Sequence, residues 1–265
     1  MAQPIDIIKS STVASNDRML DELMDVIRSV YRYELFKPLM DLSATLALNK
    51  RLKLVAQPKE FYMLDEGNCV TIESGAFDKI ANVFKRNKNF TVTIKKISAD
   101  VLIHELGHML EKEIDVDLDQ EFMQCVYSDI SIKHSHNVSL NSAVKQVMID
   151  EVKNYPKNQQ PSELFTRYFQ LLAMSIDVSG FSASYGYKID DVYKAFPSLN
   201  KWIGKYLNPL IAAKLDPEII AASIKYIVAL SEIKHEWSDQ KIKPIHSPKT
   251  NPQSKWSSTL KSIKD

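Results

Sequence analysis

Two histidines and a glutamate stand close together in the segment His104-Glu105-Leu106-Gly107-His108. On an α-helix, residues four apart lie on one face a single turn from each other, so the two imidazoles can bind one metal ion. Imidazole nitrogens are common zinc ligands, and Glu105 is placed to take a proton from zinc-bound water. The pattern therefore predicts a hydrolytic zinc centre with His104 and His108 as ligands and Glu105 as general base.

The residues around this motif have the pattern of a buried helix. Apolar residues precede it at 101–103 and follow it at 109–110, and Ser98 is a suitable N-cap residue. Upstream, residues 89–95 alternate with period two, as a half-buried strand does. Gly107 would let a neighbouring element approach the helix closely. Burying two imidazoles and a carboxylate without partners would be costly, which argues against a plain core helix.

A catalytic zinc site uses three protein ligands and leaves a fourth position for water. The residues after His108 lack the glycine and third histidine of the H-E-x-x-H-x-x-G-x-x-H pattern, which excludes that class. His134 and His136 have the surroundings of a solvated loop. The other common third ligand is a glutamate from a second helix, and the downstream candidates are Glu111, Glu113, Glu121, Glu151 and Glu163.

Glu163 is favoured among these glutamates. It follows Pro161 at the start of a long apolar helix, where it forms one polar line with Arg167 and Gln170. A carboxylate on a mostly buried helix needs a cation, and zinc would be one. The alternative is a first-turn glutamate that the helix dipole favours.

These elements resemble the gluzincin metallopeptidases, which combine an H-E-x-x-H helix with a glutamate on a later helix. More narrowly, residues 162–169 are similar to the E-x-F-F-x-E-x-F stretch of the family that includes anthrax toxin lethal factor and the pro-pro endopeptidases. The similarity extends over about residues 60–180. It implies a zincin-like domain, one Zn²⁺ per chain bound by His104, His108 and Glu163, and a peptide or protein substrate.

The resemblance also gives a role to a tyrosine. The family places a tyrosine that stabilises the transition state shortly before the ligand glutamate, and Tyr155 lies at that position. Other gluzincins use a downstream donor, and the alternatives here are Tyr185, Tyr187 and His235. One departure is Arg167, because thermolysin-type relatives have an acidic residue there that orients a ligand histidine. The substrate is expected to lie extended along an edge strand within 68–95.

Composition limits the other function classes. The 265 residues can hold one zinc-protease domain with a helical extension, and a formal charge of +1 gives no indication of nucleic-acid binding. There is no run of about 20 apolar residues and no secretory signal, so we expect no membrane span. The expected location is the cytoplasm, or the exterior after export without a cleaved Sec leader, as for a secreted effector. Cys69 and Cys125 are expected to be free thiols.

The spacing of apolar residues predicts an α+β fold that is mostly helical, with a small mixed sheet. We expect four regions: a mobile N-terminus over 1–15, a helical segment over 16–60 that Pro38 kinks or splits, a zincin-like domain over 61–237 with a helical C-terminal part, and a disordered tail over 238–265. Strands are predicted at 53–55, 61–64, 69–72 and 89–95, and helices at 75–85, 117–131, 139–153, 161–178 and 188–235.

The leading interpretation is a zinc-dependent endopeptidase. One alternative is an exopeptidase, for which a pocket that recognises a free amino terminus would be the indication. Another is a non-catalytic helical interaction protein in which the H-E-x-x-H segment is structural or degenerate.

Overall fold

The computed structural model describes residues 2–58, 69–80, 83–116, 120–131, 150–176 and 188–226. The described strands are β1 Thr12–Ala14, β2 Leu52–Ala56, β3 Cys69–Ile80 and β4 Val83–Ile94. The described helices are α1 Pro4–Ser10, α2 Asp17–Tyr31, α3 Lys37–Leu48, α4 Ala99–Glu113, α5 Gln120–Ser131, α6 Gln160–Ser175, α7 Ile189–Ala195, α8 Pro197–Trp202 and α9 Asn208–Ala212. A π-helical turn, Ile203–Leu207, joins α8 to α9, and residues 217–226 are again helical.

The four strands form one mixed sheet in the order β1-β2-β4-β3. β1, β2 and β4 run parallel, and β3 is antiparallel to β4. Side chains on β2 and on the second half of β4 alternate between buried and partly exposed, as expected where one face of a sheet covers a core. The predicted α+β class, the mixed sheet and the strands at 53–55, 69–72 and 89–95 are therefore confirmed.

The expectation of a mobile segment over 1–15 is wrong. Residues 4–10 form α1, β1 pairs in parallel with β2, and directly before β1 the carbonyl of Ser11 accepts from Leu54 N at 3.0 Å. Ile5 and Ile8 lie three residues apart on one face of α1 and are buried in the core. Three isoleucines in a polar segment are a weak sequence signal, but the two that are buried are sufficient to anchor a short helix on an existing core.

The helix expected at 75–85 is also wrong. This segment contains the end of β3 and the start of β4, and Ile80 pairs with Val83. Gly75 lies at an irregularity in the ladder, between Ser74 and Phe77, a place where glycine is common in strands. Hydrogen bonds to a partner strand override the weak local preference for a helix.

The remaining described helices agree with the pattern of apolar residues. The N-terminal helical segment is split into α2 and α3, with Pro38 in the first turn of α3 as expected for a residue without an N–H. Asn16 caps α2 by accepting a hydrogen bond from Met19 N at 2.9 Å. None of the helices within the described ranges is both long and apolar enough to cross a bilayer. The predictions for 61–64, 139–149, 227–237 and the tail over 238–265 lie outside the described residues.

A buried polar network connects the first helices to the last described one. The Tyr31 hydroxyl donates to Asp41 Oδ1 at 2.8 Å, and the Ser223 hydroxyl donates to the same oxygen at 2.6 Å. Lys37 Nζ donates to the Tyr31 hydroxyl at 2.9 Å. Nearby, Asp216 N donates to Thr45 Oγ1 at 3.1 Å. These bonds satisfy polar groups whose burial would otherwise be costly.

The helix that carries the H-E-x-x-H segment lies at the centre of this arrangement. α4 packs against α6, against β4 and against α2 and α3. Its apolar face is fully buried, through Leu102, Ile103, Leu106, Met109 and Leu110. Because α4 is held on several sides, its polar residues have fixed positions.

Candidate metal centre

His104 and His108 lie one turn apart on α4, as the motif predicts. Their ring centroids are 4.9 Å apart and the rings are nearly perpendicular. Ser98 occupies the N-cap position of α4, but its hydroxyl accepts no capping hydrogen bond, so that part of the capping prediction is wrong. The helix is positioned instead by its buried face.

Helix α6 brings a carboxylate to the two histidines. Its apolar residues face the core, and the polar line predicted at 163, 167 and 170 borders the same cleft as the histidines. The two helices pack closely because position 107 is glycine: a Cβ atom there would lie 3.2 Å from Thr166 Cγ2. The predicted close approach at Gly107 is thus confirmed, and it places the first turn of α6 beside α4.

The side chains of His104, His108 and Glu163 converge on one point. Glu163 Oε1 lies 3.5 Å from His108 Nε2, and Glu163 Oε2 lies 3.9 Å from His104 Nε2. One ligand atom from each residue lies within 4.8 Å of the others. Ligands about 2.1 Å from a tetrahedral zinc ion are separated by about 3.4 Å, so small side-chain shifts would complete coordination.

An unsatisfied polar atom marks this point as suited to a cation. Glu163 is only 9% exposed, and its Oε2 atom is buried without a hydrogen-bond donor. A buried carboxylate oxygen without a donor is costly unless a positive charge lies beside it. Two imidazoles and a carboxylate are a donor set that zinc accepts, so the residues present fit this metal.

The other four candidate glutamates have different partners. Glu113 forms a two-bond ion pair with Arg51, at 2.6 and 3.2 Å, and Glu121 accepts from the Tyr206 hydroxyl at 2.7 Å. Glu151 lies 3.5 Å from Arg167, and Glu111 approaches the opposite ring nitrogen of His108, Nδ1, at 3.7 Å. Of the five glutamates, the structure therefore brings only Glu163 to the Nε2 atoms. His134 and His136 lie outside the described residues.

Burial and charge together shift the protonation of the site. Burial raises the pKa of Glu105, which is 5% exposed, to about 7. Burial, with His108 as the next cause, lowers the pKa of His104 to about 3. Burial also opposes the charged form of His108, but hydrogen bonds to Glu111 and Glu163 outweigh it and raise the pKa of His108 to about 9.

An open cleft of about 830 Å³ gives access to these groups. His104, Glu105, His108 and Glu163 all border it, and so does Tyr155. The structure thus places Tyr155 on the wall of the same cleft, whereas the alternative donors Tyr185, Tyr187 and His235 lie outside the described residues.

Several polar residues at the centre were not assigned a role from the sequence. Ser162 Oγ lies 3.2 Å from His108 Nδ1 and donates to Glu111, which sequence reasoning considered only as a ligand. Arg167 donates to Gln170 Oε1 at 2.9 Å, and Gln170 donates to Asp100 Oδ2 at 3.3 Å. The sequence gave only a partial indication of these contacts. Ser162 directly precedes the candidate ligand Glu163, and Glu111 lies three residues after His108, on the same face of the helix.

The fold and the site together define the class of this protein: an α+β protein with a candidate mononuclear metal centre between two helices. No family model, curated protein or solved structure matches the chain.

Proposed function

We propose that this chain is a zinc-dependent endopeptidase of the gluzincin type, with one Zn²⁺ held by His104, His108 and Glu163. The observation that carries the proposal is the convergence of two Nε2 atoms and a buried carboxylate whose Oε2 atom has no hydrogen-bond donor. Three protein ligands of this kind are typical of catalytic zinc sites, whereas structural zinc sites are usually closed by four. A glutamate as the third ligand, from a separate helix, supports the gluzincin type.

The roles of the other residues follow from their positions on the cleft. A bound zinc ion acts as a Lewis acid and makes water a competent nucleophile near neutral pH. Glu105 borders the cleft beside both candidate histidine ligands, so it can take the proton of the attacking water and return it to the amine as the peptide C–N bond breaks. Tyr155 borders the cleft and can donate a hydrogen bond to the developing oxyanion, a contact worth about 3 kcal/mol when preorganised.

The sheet offers a place for an extended substrate. β3 forms one edge of the described sheet, and Val70 on β3 borders the cleft beside the candidate zinc ligands. An extended peptide can add to such an edge through main-chain hydrogen bonds. This arrangement supports a polypeptide as the substrate.

Metal analysis and substrate profiling of the purified full-length chain test this function. We expect one zinc ion per chain by elemental mass spectrometry, and its loss in the His108→Ala variant. We also expect cleavage at internal bonds of a mixed peptide library, with products identified by mass spectrometry.

Three outcomes would contradict parts of this proposal. Stepwise removal of terminal residues would indicate an exopeptidase. A folded chain that binds no zinc, even when zinc is added, would exclude the metal centre and favour an interaction protein. Zinc binding without hydrolysis of any peptide would leave the metal site in place and exclude the peptidase.

A further inference from the structure

A chain of polar contacts lies behind His108, on the side of the ring that faces away from Glu163. His108 Nδ1 is 3.2 Å from Ser162 Oγ, and Ser162 Oγ donates a hydrogen bond to Glu111 Oε2. Glu111 is only 1% exposed, and its second oxygen, Oε1, lies 3.5 Å from Lys112 Nζ. The contacts join α4, which carries His108 and Glu111, to the first turn of α6, which carries Ser162.

The chemistry of these groups fixes the direction of the hydrogen bonds. An ionised carboxylate can only accept, so the Ser162 hydroxyl must give its single proton to Glu111. The oxygen of Ser162 is then an acceptor for His108, whose Nδ1 must carry the proton. In the neutral ring that a metal ion requires, Nε2 is then the unprotonated nitrogen, and it is the atom that faces Glu163 at 3.5 Å. The tautomer selected by Ser162 and Glu111 is therefore the one that can bind a metal through Nε2.

His104 has no carboxylate-ended support of this kind among the described residues, and the hydrogen-bonding side chain beside it is the neutral amide of Gln170. Its Nδ1 atom is buried without a hydrogen-bond partner. Arg167 stands where an acidic residue would orient this histidine, but a guanidinium can only donate, and its Nη1 atom bonds to Gln170 at 2.9 Å. The two histidines are thus positioned differently. Of the two, His108 is the one whose Nδ1 atom contacts a hydroxyl that is itself bonded to a carboxylate.

We propose that Glu111 and Ser162 are positioning residues that fix the ring and tautomer of His108 and thereby set the metal affinity of the site. We call this pair the Glu111–Ser162 relay. The inference rests on the proposed metal centre, because the relay acts on the metal only through His108. Outer partners of ligand histidines typically contribute about 10–100-fold to metal affinity, and we expect an effect of this size.

The dissociation constant for zinc, measured on the full chain by competition with a chromophoric chelator at constant pH, tests the relay. Ser162→Ala breaks the link and should weaken binding about 10–100-fold. Ser162→Thr keeps the hydroxyl and should restore most of the affinity. Glu111→Gln keeps an acceptor but removes its charge, so the loss should be smaller and in the same direction. Glu151→Gln is the matched control, because it makes the same chemical change at the ion pair with Arg167, outside the relay.

Cobalt(II) provides a readout that general destabilisation would not change. The visible d–d spectrum of the cobalt-loaded chain reports ligand geometry, so it should shift in Ser162→Ala and return toward the wild type in Ser162→Thr. Thermal melting of the metal-free variants shows whether each one is folded. If Glu111→Gln does not fold, the two serine variants decide the question.

Failure of the relay and failure of the metal centre give different results. Wild-type affinity and an unchanged cobalt spectrum in folded Ser162→Ala would overturn the relay and leave the metal centre standing. A wild-type chain that binds neither zinc nor cobalt would overturn the metal centre itself. Equal weakening by Ser162→Ala and Ser162→Thr would also overturn the relay, because the hydroxyl would then have no specific part.

Discussion

Glu163 is the residue whose surroundings are hardest to explain without a metal ion. It is largely buried between two imidazoles, and one of its oxygens has no donor. A surface glutamate at a helix start would face water and the helix dipole, whereas Glu163 faces His104 and His108. Its position therefore argues against the simple first-turn role that the sequence left open.

Replacing Glu163 by alanine should weaken zinc binding by more than about 100-fold, because even an outer partner contributes 10–100-fold. Glu151→Ala should have no such effect, since Glu151 is half exposed and pairs with Arg167. Equilibrium dialysis with quantified zinc compares the two variants. If Glu151→Ala weakened zinc binding more than Glu163→Ala did, Glu163 would not be the third ligand.

Glu105→Gln should retain one zinc ion per chain while peptide hydrolysis falls about 10²–10⁴-fold. The amide has nearly the shape of the carboxylate but cannot accept the proton of the attacking water. Zinc content and turnover of one internally quenched peptide are measured on the same preparation. Undiminished turnover would remove Glu105 from the role of general base.

The sequence indicated which side chains come together at the candidate site, but not the residues that contact them from behind. His104, Glu105 and His108 follow from spacing within one helix, and Glu163 follows from a carboxylate on an apolar helix. The contact between Ser162 and Glu111 spans 51 residues and depends on how α4 and α6 are rotated against each other. Local patterns contain no information on that rotation, so this partner of His108 became visible only in the fold.

At the level of secondary structure, the errors have a common cause. α4 and α6 were predicted correctly because the burial of one helix face gives a strong period in the sequence. The segments 1–15 and 75–85 were assigned wrongly because their structure depends on distant partners. β1 requires β2, and the paired ends of β3 and β4 require a ladder that continues to Cys69 and Thr93.

The contact between α4 and α6 can be tested at Gly107. A methyl group there would meet the Thr166 methyl at 3.2 Å, and Thr166 is fully buried. We expect Gly107→Ala to lower the free energy of unfolding by about 1–2 kcal/mol, because overpacking outweighs the gain in helix propensity of about 1 kcal/mol. Urea denaturation measures this change.

Thr166→Ser is the matched second change, because it removes the methyl and keeps the hydroxyl that donates to Glu163 O at 3.1 Å. The free energy of unfolding of the double variant Gly107→Ala/Thr166→Ser should exceed the value expected from adding the two single effects by about 0.5 kcal/mol or more. Strictly additive effects would mean that the two helices do not meet at these atoms.

For the whole molecule, the N-terminal segment contributes Ile5 and Ile8 to the core. Ile8 is fully buried and Ile7 is only partly so. Ile8→Ala should therefore lower the free energy of unfolding by about 2–5 kcal/mol, and Ile7→Ala by clearly less. Chemical denaturation of both variants provides the comparison. Equal and negligible effects would restore the expectation of a mobile segment.

The buried network of Tyr31, Asp41 and Ser223 has a consequence for biosynthesis. Ser223 donates to Asp41 across a separation of 182 residues. At about 5–20 residues per second, a ribosome needs roughly 10–40 s to add that length, and during this time Asp41 lacks one of its donors. Nascent chains stalled before residue 223 should therefore be cleaved within the first helices by added protease, and chains stalled well beyond it should resist.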